Sequence, residues 1–172
     1  IIVPQVSDLV KKYCGITFID FYSTDKVETF SIDDNYTTTI IMSESPLVTV
    51  DSVQERASYS GSYETLTTTD YEYYVDTESD AIIRTNKEGT PIPFKKGVGA
   101  VKVTYNAGYS ATPEDLKLAI FDLINYYMKD EHKERRTLGG ATLQNQGTAG
   151  LRMSTDFPDH IKRVLDLYRV II

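Results

Sequence analysis

The stretch from Val101 to Met128, VKVTYNAGYSATPEDLKLAIFDLINYYM, constrains the fold more than any other part of this chain. Val101, Val103 and Tyr105 alternate with Lys102 and Thr104, which is the period of a strand with one buried face. Asn106 to Tyr109 then reads as a turn, with Gly108 available for positive φ. Thr112 is placed to cap a helix, Pro113 suits its first turn, and Asp115 stands three residues after the cap, as in a capping box. Leu116, Ala119, Ile120, Leu123, Ile124 and Tyr127 recur at helical spacing, while Leu118, Phe121 and Met128 lie off that stripe. A helix that is apolar on more than one side needs two partners. The pattern fits a helix between its own β-structure and a neighbouring subunit, and equally one buried within a single domain.

Upstream, Ser7 to Tyr13 predicts a short helix with Ser7 as its cap, or the tail of a longer helix, ended by Gly15. Phe18 to Tyr22 is strand or turn. From Lys26 the signal turns to strands. VETFSI places Val27, Thr29 and Ser31 on one face and Glu28, Phe30 and Ile32 on the other, followed by a turn at Asp33 to Asn35. YTTTIIM, SPLVTVDSVQE, YEYYVD and AIIRT are further strands, with SYSGSYE as a hairpin tip around Gly61, DTESD as a turn and NKEGTPIPFKKG as a loop. Short strands with turns every ten residues or so predict an antiparallel sandwich, barrel or meander.

Downstream, KDEHKERR is a charged helical end and TLGGATLQNQGTAG a Gly-rich arm that orders only against another chain or acts as a linker. STDFPDHIKRVLDLYRVII closes the chain with a proline-led helix bearing Ile161, Val164, Leu165 and Tyr168 on one face. The expected class is therefore α+β: an N-terminal helix, an antiparallel β-rich insert (about 26–105), a long central helix (about 113–134), a flexible arm and a C-terminal helix. Residues 1–136 are expected to form one core domain and 137–172 the arm and a C-terminal helix, whose apolar end either packs back on the core or plugs into a partner.

Charge separates along the chain. Net charge is −7, with 9 Lys/Arg against 16 Asp/Glu in residues 1–109 and 9 of each in residues 110–172. An acidic β-region is a poor phosphate-gripping surface, since nonspecific nucleic-acid affinity comes from cationic neutralisation. There is no Trp, but there are 13 Tyr, which suits interfaces and β-rich folds alike. Cys14 is a lone cysteine in an apolar segment and reads as a small buried hydrophobe. The first residues do not read as a signal peptide, and no stretch approaches a membrane span.

No catalytic constellation is visible. His132 and His160 sit in charged surroundings without metal-ligand spacing, and no GxSxG, GxxxxGK[ST] or GxGxxG occurs. Asp70, Glu72, Asp76, Glu78 and Asp80 are acidic turn residues first. As a carboxylate enzyme they would need a defined separation across a cleft, and as a calcium loop they lack the EF-hand glycine and distal Glu. No catalytic residue, cofactor or metal is expected.

A strand ending in YNAGY, followed by a proline-led helix of the form PEDLKLAI and the charged EHKERR, resembles the head-tail connector (adaptor, or head-completion) proteins of tailed bacteriophages and gene-transfer particles. The helix VSDLVKKYCGI, the segment SPLVTVDSVQE, the strand DYEYYVD and the ending FPDHIKRVLDLYRV extend that resemblance over most of the chain. The Gly/Gln/Asn arm departs from it. The resemblance implies a non-enzymatic structural protein of the virion neck, assembled in the host cytoplasm. It implies a homo-oligomeric, commonly twelve-fold, ring under the portal protein. That ring extends the DNA channel, lets double-stranded DNA pass without reading its sequence, and presents a surface for a stopper or tail-completion protein, with no membrane involved. By that analogy Leu151, Phe157, Ile161, Leu165, Tyr168, Arg169, Ile171 and Ile172 would engage the portal. Leu118, Phe121, Tyr126, Arg135 and Arg136 would lie between subunits. The alternative is a β-sandwich module of a tail or baseplate that binds carbohydrate or protein through its Tyr-rich strands.

Overall fold

The computed structural model describes residues 2–129 and 157–170. The elements run α1 (Ile2–Cys14), β1 (Lys26–Ile32), β2 (Thr39–Ile41), β3 (Leu47–Glu55), β4 (Glu64–Leu66), β5 (Tyr73–Asp76), β6 (Ala81–Arg84), β7 (Gly97–Ala107), α2 (Glu114–Met128) and α3 (Asp159–Asp166). The expected α+β class holds. The chain divides into two compact units, a helical one of residues 1–16 and 112–171 and a β-rich one built on residues 17–111.

The β-rich unit holds two antiparallel sheets, ordered β1-β7-β3-β4 and β2-β6-β5. β7 is the longest strand and sits inside its sheet, paired with both β1 and β3. Its alternation works as expected: Val101, Val103, Tyr105 and Ala107 are all buried. Ile40 and Ile82 pair across β2 and β6 and join the same apolar core as Val53, Met42 and Phe94. YTTTIIM yields only three strand residues. Asp34 Oδ1 accepts the backbone N–H groups of Tyr36 and Thr37, both at 2.7 Å, so the preceding residues are bound into an Asx turn. The β3–β4 hairpin has Gly61 in its connection, as the sequence predicts, with the Arg56 guanidinium against the rings of Tyr59 and Tyr63 at 4.8 and 4.9 Å.

A buried carboxylate links the two sheets. Glu55 on β3 is 1% exposed and lies 3.4 Å from Arg84 Nε on β6. Its other oxygen accepts the Lys95 N–H at 3.2 Å. Arg84 also donates to the carbonyls of Glu72 and Thr85. Removing one member of a buried ion pair strands the other charge away from water. Glu55→Ala is therefore expected to cost about 3 kcal/mol in urea unfolding, from the cost of an uncompensated buried charge.

In the helical unit the three helices share one core. α1 buries Val6, Val10 and Cys14, α2 buries Leu116, Ala119 and Leu123, and α3 buries Ile161 and Leu165. α1 is longer than the Ser7–Tyr13 segment, so Ser7 is an interior residue and not a cap. The apolar period simply continues N-terminally through Val6 and Ile2, with Pro4 tolerated in the first turn. Gly15 ends the helix with φ 79° and donates its N–H to the Lys11 carbonyl at 2.9 Å. The capping box at Thr112 does not form either. The N-cap is Pro113, with no side-chain hydrogen bond to the first turn, and Glu114 and Asp115 supply negative charge to the helix start instead.

Polar contacts tie the chain's last described residues to the two earlier helices. The Tyr13 hydroxyl donates to Asp166 at 2.6 Å, the Tyr13 ring meets Phe157 edge-on at 4.9 Å, and the Val170 N–H donates to the Cys14 carbonyl at 3.0 Å. The Tyr168 hydroxyl donates to Asp115 Oδ1 at 2.7 Å and holds that carboxyl below its usual range. A depressed carboxylate favours the folded state above its unfolded value of about 4 and loses that contribution as pH falls through the lower folded value. Tyr168→Phe is therefore expected to lower the melting temperature slightly at pH 7, with the difference shrinking towards zero at acid pH. A difference unchanged with pH would show that the hydroxyl acts on something other than Asp115.

Candidate assembly interface

α2 has two apolar faces, and among the described residues only one is buried. At about 100° per residue, Leu116, Ala119 and Leu123 fall on one side and Leu118, Phe121 and Met128 on another. The first three are buried. The other three are 63%, 61% and 65% exposed. They form a ridge about 15 Å long, from the rise per residue of a helix. Scattered exposed apolar residues are ordinary on a protein surface, and an aligned row on one helix face is a candidate interaction site.

Of the residues expected between subunits, Leu118 and Phe121 thus project outward. Tyr126 is half-buried, with its ring 5.6 Å from that of Tyr127 at an interplanar angle of 70°. Arg135 and Arg136 lie outside the described residues. Met128, an off-stripe apolar position in the sequence, extends the ridge beyond the residues expected between subunits.

The C-terminal residues sort differently from the expectation. Phe157, Ile161 and Leu165 are 5%, 1% and 0% exposed. Their side chains are taken up by this chain's own helical unit, where α3 packs against α2 and α1. Periodicity shows that a helix has an apolar face but not whose core it enters. Tyr168 is half-buried and bonded to Asp115, and the Arg169 guanidinium lies 5.4 Å from the Tyr13 ring centre. Leu167, which lies off the apolar stripe, is 77% exposed. Leu151, Ile171, Ile172, His132 and the Gly-rich arm lie outside the described residues.

The acidic turns are occupied with local structure. Asp76 Oδ1 accepts the N–H groups of Glu78 and Ser79. Asp80 accepts the Ser45 hydroxyl and the Leu47 N–H, tying the β5–β6 turn to the start of β3. Asp70 pairs with Lys87 at 3.2 Å, and Glu72 accepts from Thr67. Among the described residues no group of three or more His, Cys, Asp or Glu side chains is arranged to hold a metal ion. Burial pushes the Cys14 thiol up to about 11, so it stays protonated and unreactive at neutral pH. Among the described residues no helix is long and apolar enough to cross a membrane.

The model of one family, described as Head completion protein, matches residues 1–171. A head completion protein of Escherichia phage T5 is 32% identical over 79 residues, which is 45% of this chain and 44% of the relative. The chain thus spans less than half the length of that relative. A chain from the neck of an empty GTA particle computed with C6 symmetry superposes with a TM-score of 0.60 at 16% identity, covering 99% of this chain and 76% of the other. A chain from the neck of a native GTA particle computed with C12 symmetry gives 0.60 at 15%, covering 99% and 80%. At these identities the likeness establishes a shared fold.

Proposed function

This chain belongs to the Head completion protein family, and we propose that it is a structural head-tail connector of a tailed phage. In this reading several copies form a ring in the virion neck, beneath the portal protein. The ring continues the DNA channel and offers its far side to a stopper or tail-completion protein. The observation that carries the reading is the α2 ridge of Leu118, Phe121 and Met128, an apolar surface that stays exposed among the described residues. The cyclic symmetry of the GTA necks whose chains share this fold supports a ring, and twelve copies is the number we propose. The acid-rich residues 1–109 suit a channel wall that double-stranded DNA must pass without binding.

We place portal docking at the C-terminal segment. Because Phe157, Ile161 and Leu165 are committed to the helical core, the portal-facing residues among those described are Leu167 and Arg169, with Leu151, Ile171 and Ile172 proposed alongside them. The double variant Leu167→Asp, Arg169→Glu keeps Phe157, Ile161 and Leu165 but gives up the Arg169 contact with the Tyr13 ring; with its fold checked by circular dichroism, it is expected to weaken binding to purified portal by about tenfold or more, the usual cost of losing an interface anchor. Portal capping at wild-type affinity would move the docking site elsewhere.

A further inference from the structure

Resting on the ring proposed above, we propose that neighbouring copies join by a knob-and-groove contact: the α2 ridge of one protomer, led by Phe121, enters a groove between α1 and α2 of the next. The groove is lined by Ile2, Gln5, Val6 and Leu9 of α1 and by Tyr127 of α2. Its volume is about 300 Å³, room enough for a phenyl ring, and its lining is mostly apolar.

Ridge and groove lie on different sides of the same helix. Tyr127 projects about 100° to 180° around α2 from Met128, Phe121 and Leu118. A knob and a hole set apart on one compact unit cannot fill each other within a chain. Set about 120° apart around the helix at Phe121 and Tyr127, they suit a head-to-tail contact better than a reciprocal one across a two-fold axis, which would need both on one face. They meet head to tail, and a head-to-tail contact with the right rotation closes into a ring.

Charge sets the direction. α2 begins with Glu114, which pairs with Lys117 of its own helix at 2.6 Å, and Asp115, which accepts from Tyr168, and the exposed Asp122 lies about 100° around the helix from Phe121. α1 has no acidic residue in its first turn and ends in Lys11 and Lys12. Laying the acidic start of the ridge against the basic end of α1 matches opposite charges along the contact. In that antiparallel arrangement Phe121 faces Val6 and Leu9, and Asn125, one turn further along, faces Gln5 of the neighbour.

Gln5, at the polar part of the groove lining, and Asn125 are both exposed and polar, so cysteines there leave the apolar side chains of ridge and groove and the helical core unchanged. Differently tagged Gln5→Cys and Asn125→Cys proteins are mixed, assembled into rings alone or on the portal, and treated with a short bifunctional maleimide. Cys14, fully buried, serves as the internal control in the unsubstituted protein. The expected product is a mixed dimer, absent when either variant is assembled alone and reduced about tenfold or more when Phe121→Ser is added to the Asn125→Cys protein, as for loss of a buried aromatic anchor. Rings that form but give no mixed dimer, or a dimer from one variant alone, overturn the knob-and-groove contact and leave the ring reading standing. A cross-link from Gln5→Cys to the portal assigns the groove to that partner and likewise overturns it. If no ring forms under either condition, the ring reading itself fails and this contact falls with it.

Discussion

A Gly108→Ala protein is expected to lose about 4 kcal/mol of stability, a size seen only where a substitution meets a specific structural obstacle. Gly108 has φ 104°, where L residues rarely go. A Cβ there would lie 2.2 Å from the carbonyl oxygen of Phe18, a backbone atom that cannot swing aside. The contact is tight because the turn is held from two directions. The Gly108 N–H donates to the Pro46 carbonyl at 2.8 Å, and the Tyr109 N–H donates to the Phe18 carbonyl at 2.7 Å. Phe18 is itself at φ 67°, a strained conformation for a bulky residue, and the surrounding bonds keep it there. Relieving the clash means breaking one of those bonds. Chemical denaturation of the variant beside wild type measures the loss, and a difference below about 1 kcal/mol would mean that the turn relaxes at little cost.

The double variant Leu118→Glu, Phe121→Glu is expected to do the opposite: leave the fold intact and abolish assembly. Both side chains are more than half exposed in the single chain, so the charges stay solvated and the melting temperature should change little. In a ring the same carboxylates would be buried against an apolar neighbour without partners, which costs several kcal/mol per contact. A ring repeats the contact at every interface, so the loss accumulates and ring formation should disappear. Size measurement together with circular dichroism separates the outcomes. A folded monomer fits the expectation, whereas rings of normal stability would remove α2 from the interface.

Much of the fold was legible in the sequence because the two periods are clean where one face is buried. Val101, Val103 and Tyr105 alternate into the core, and Leu116, Ala119 and Leu123 keep the helical spacing. Helix starts were less legible. Ser7 and Thr112 have the right chemistry for caps, but the hydrophobic period overruns the first and Pro113 takes the N-cap position at the second. The candidate interface was half legible. Leu118 and Phe121 lie off the main stripe, and that is how an outward row on a two-faced helix looks in one dimension. Phe157, Ile161 and Leu165 are indistinguishable by pattern from a partner-binding face, and only packing against α1 and α2 reveals them as core. Leu167 and the groove beside Tyr127 carry no sequence signal, since each depends on what lies next to it in space.

The ring is the central claim, and electron microscopy of the purified chain with its portal protein tests it most directly. The account predicts a ring with an open central hole, coaxial with the portal channel and showing cyclic symmetry, with α2 at the contacts between copies. Protein that stays monomeric beside an uncapped portal, or that binds as single copies away from the channel axis, would contradict it.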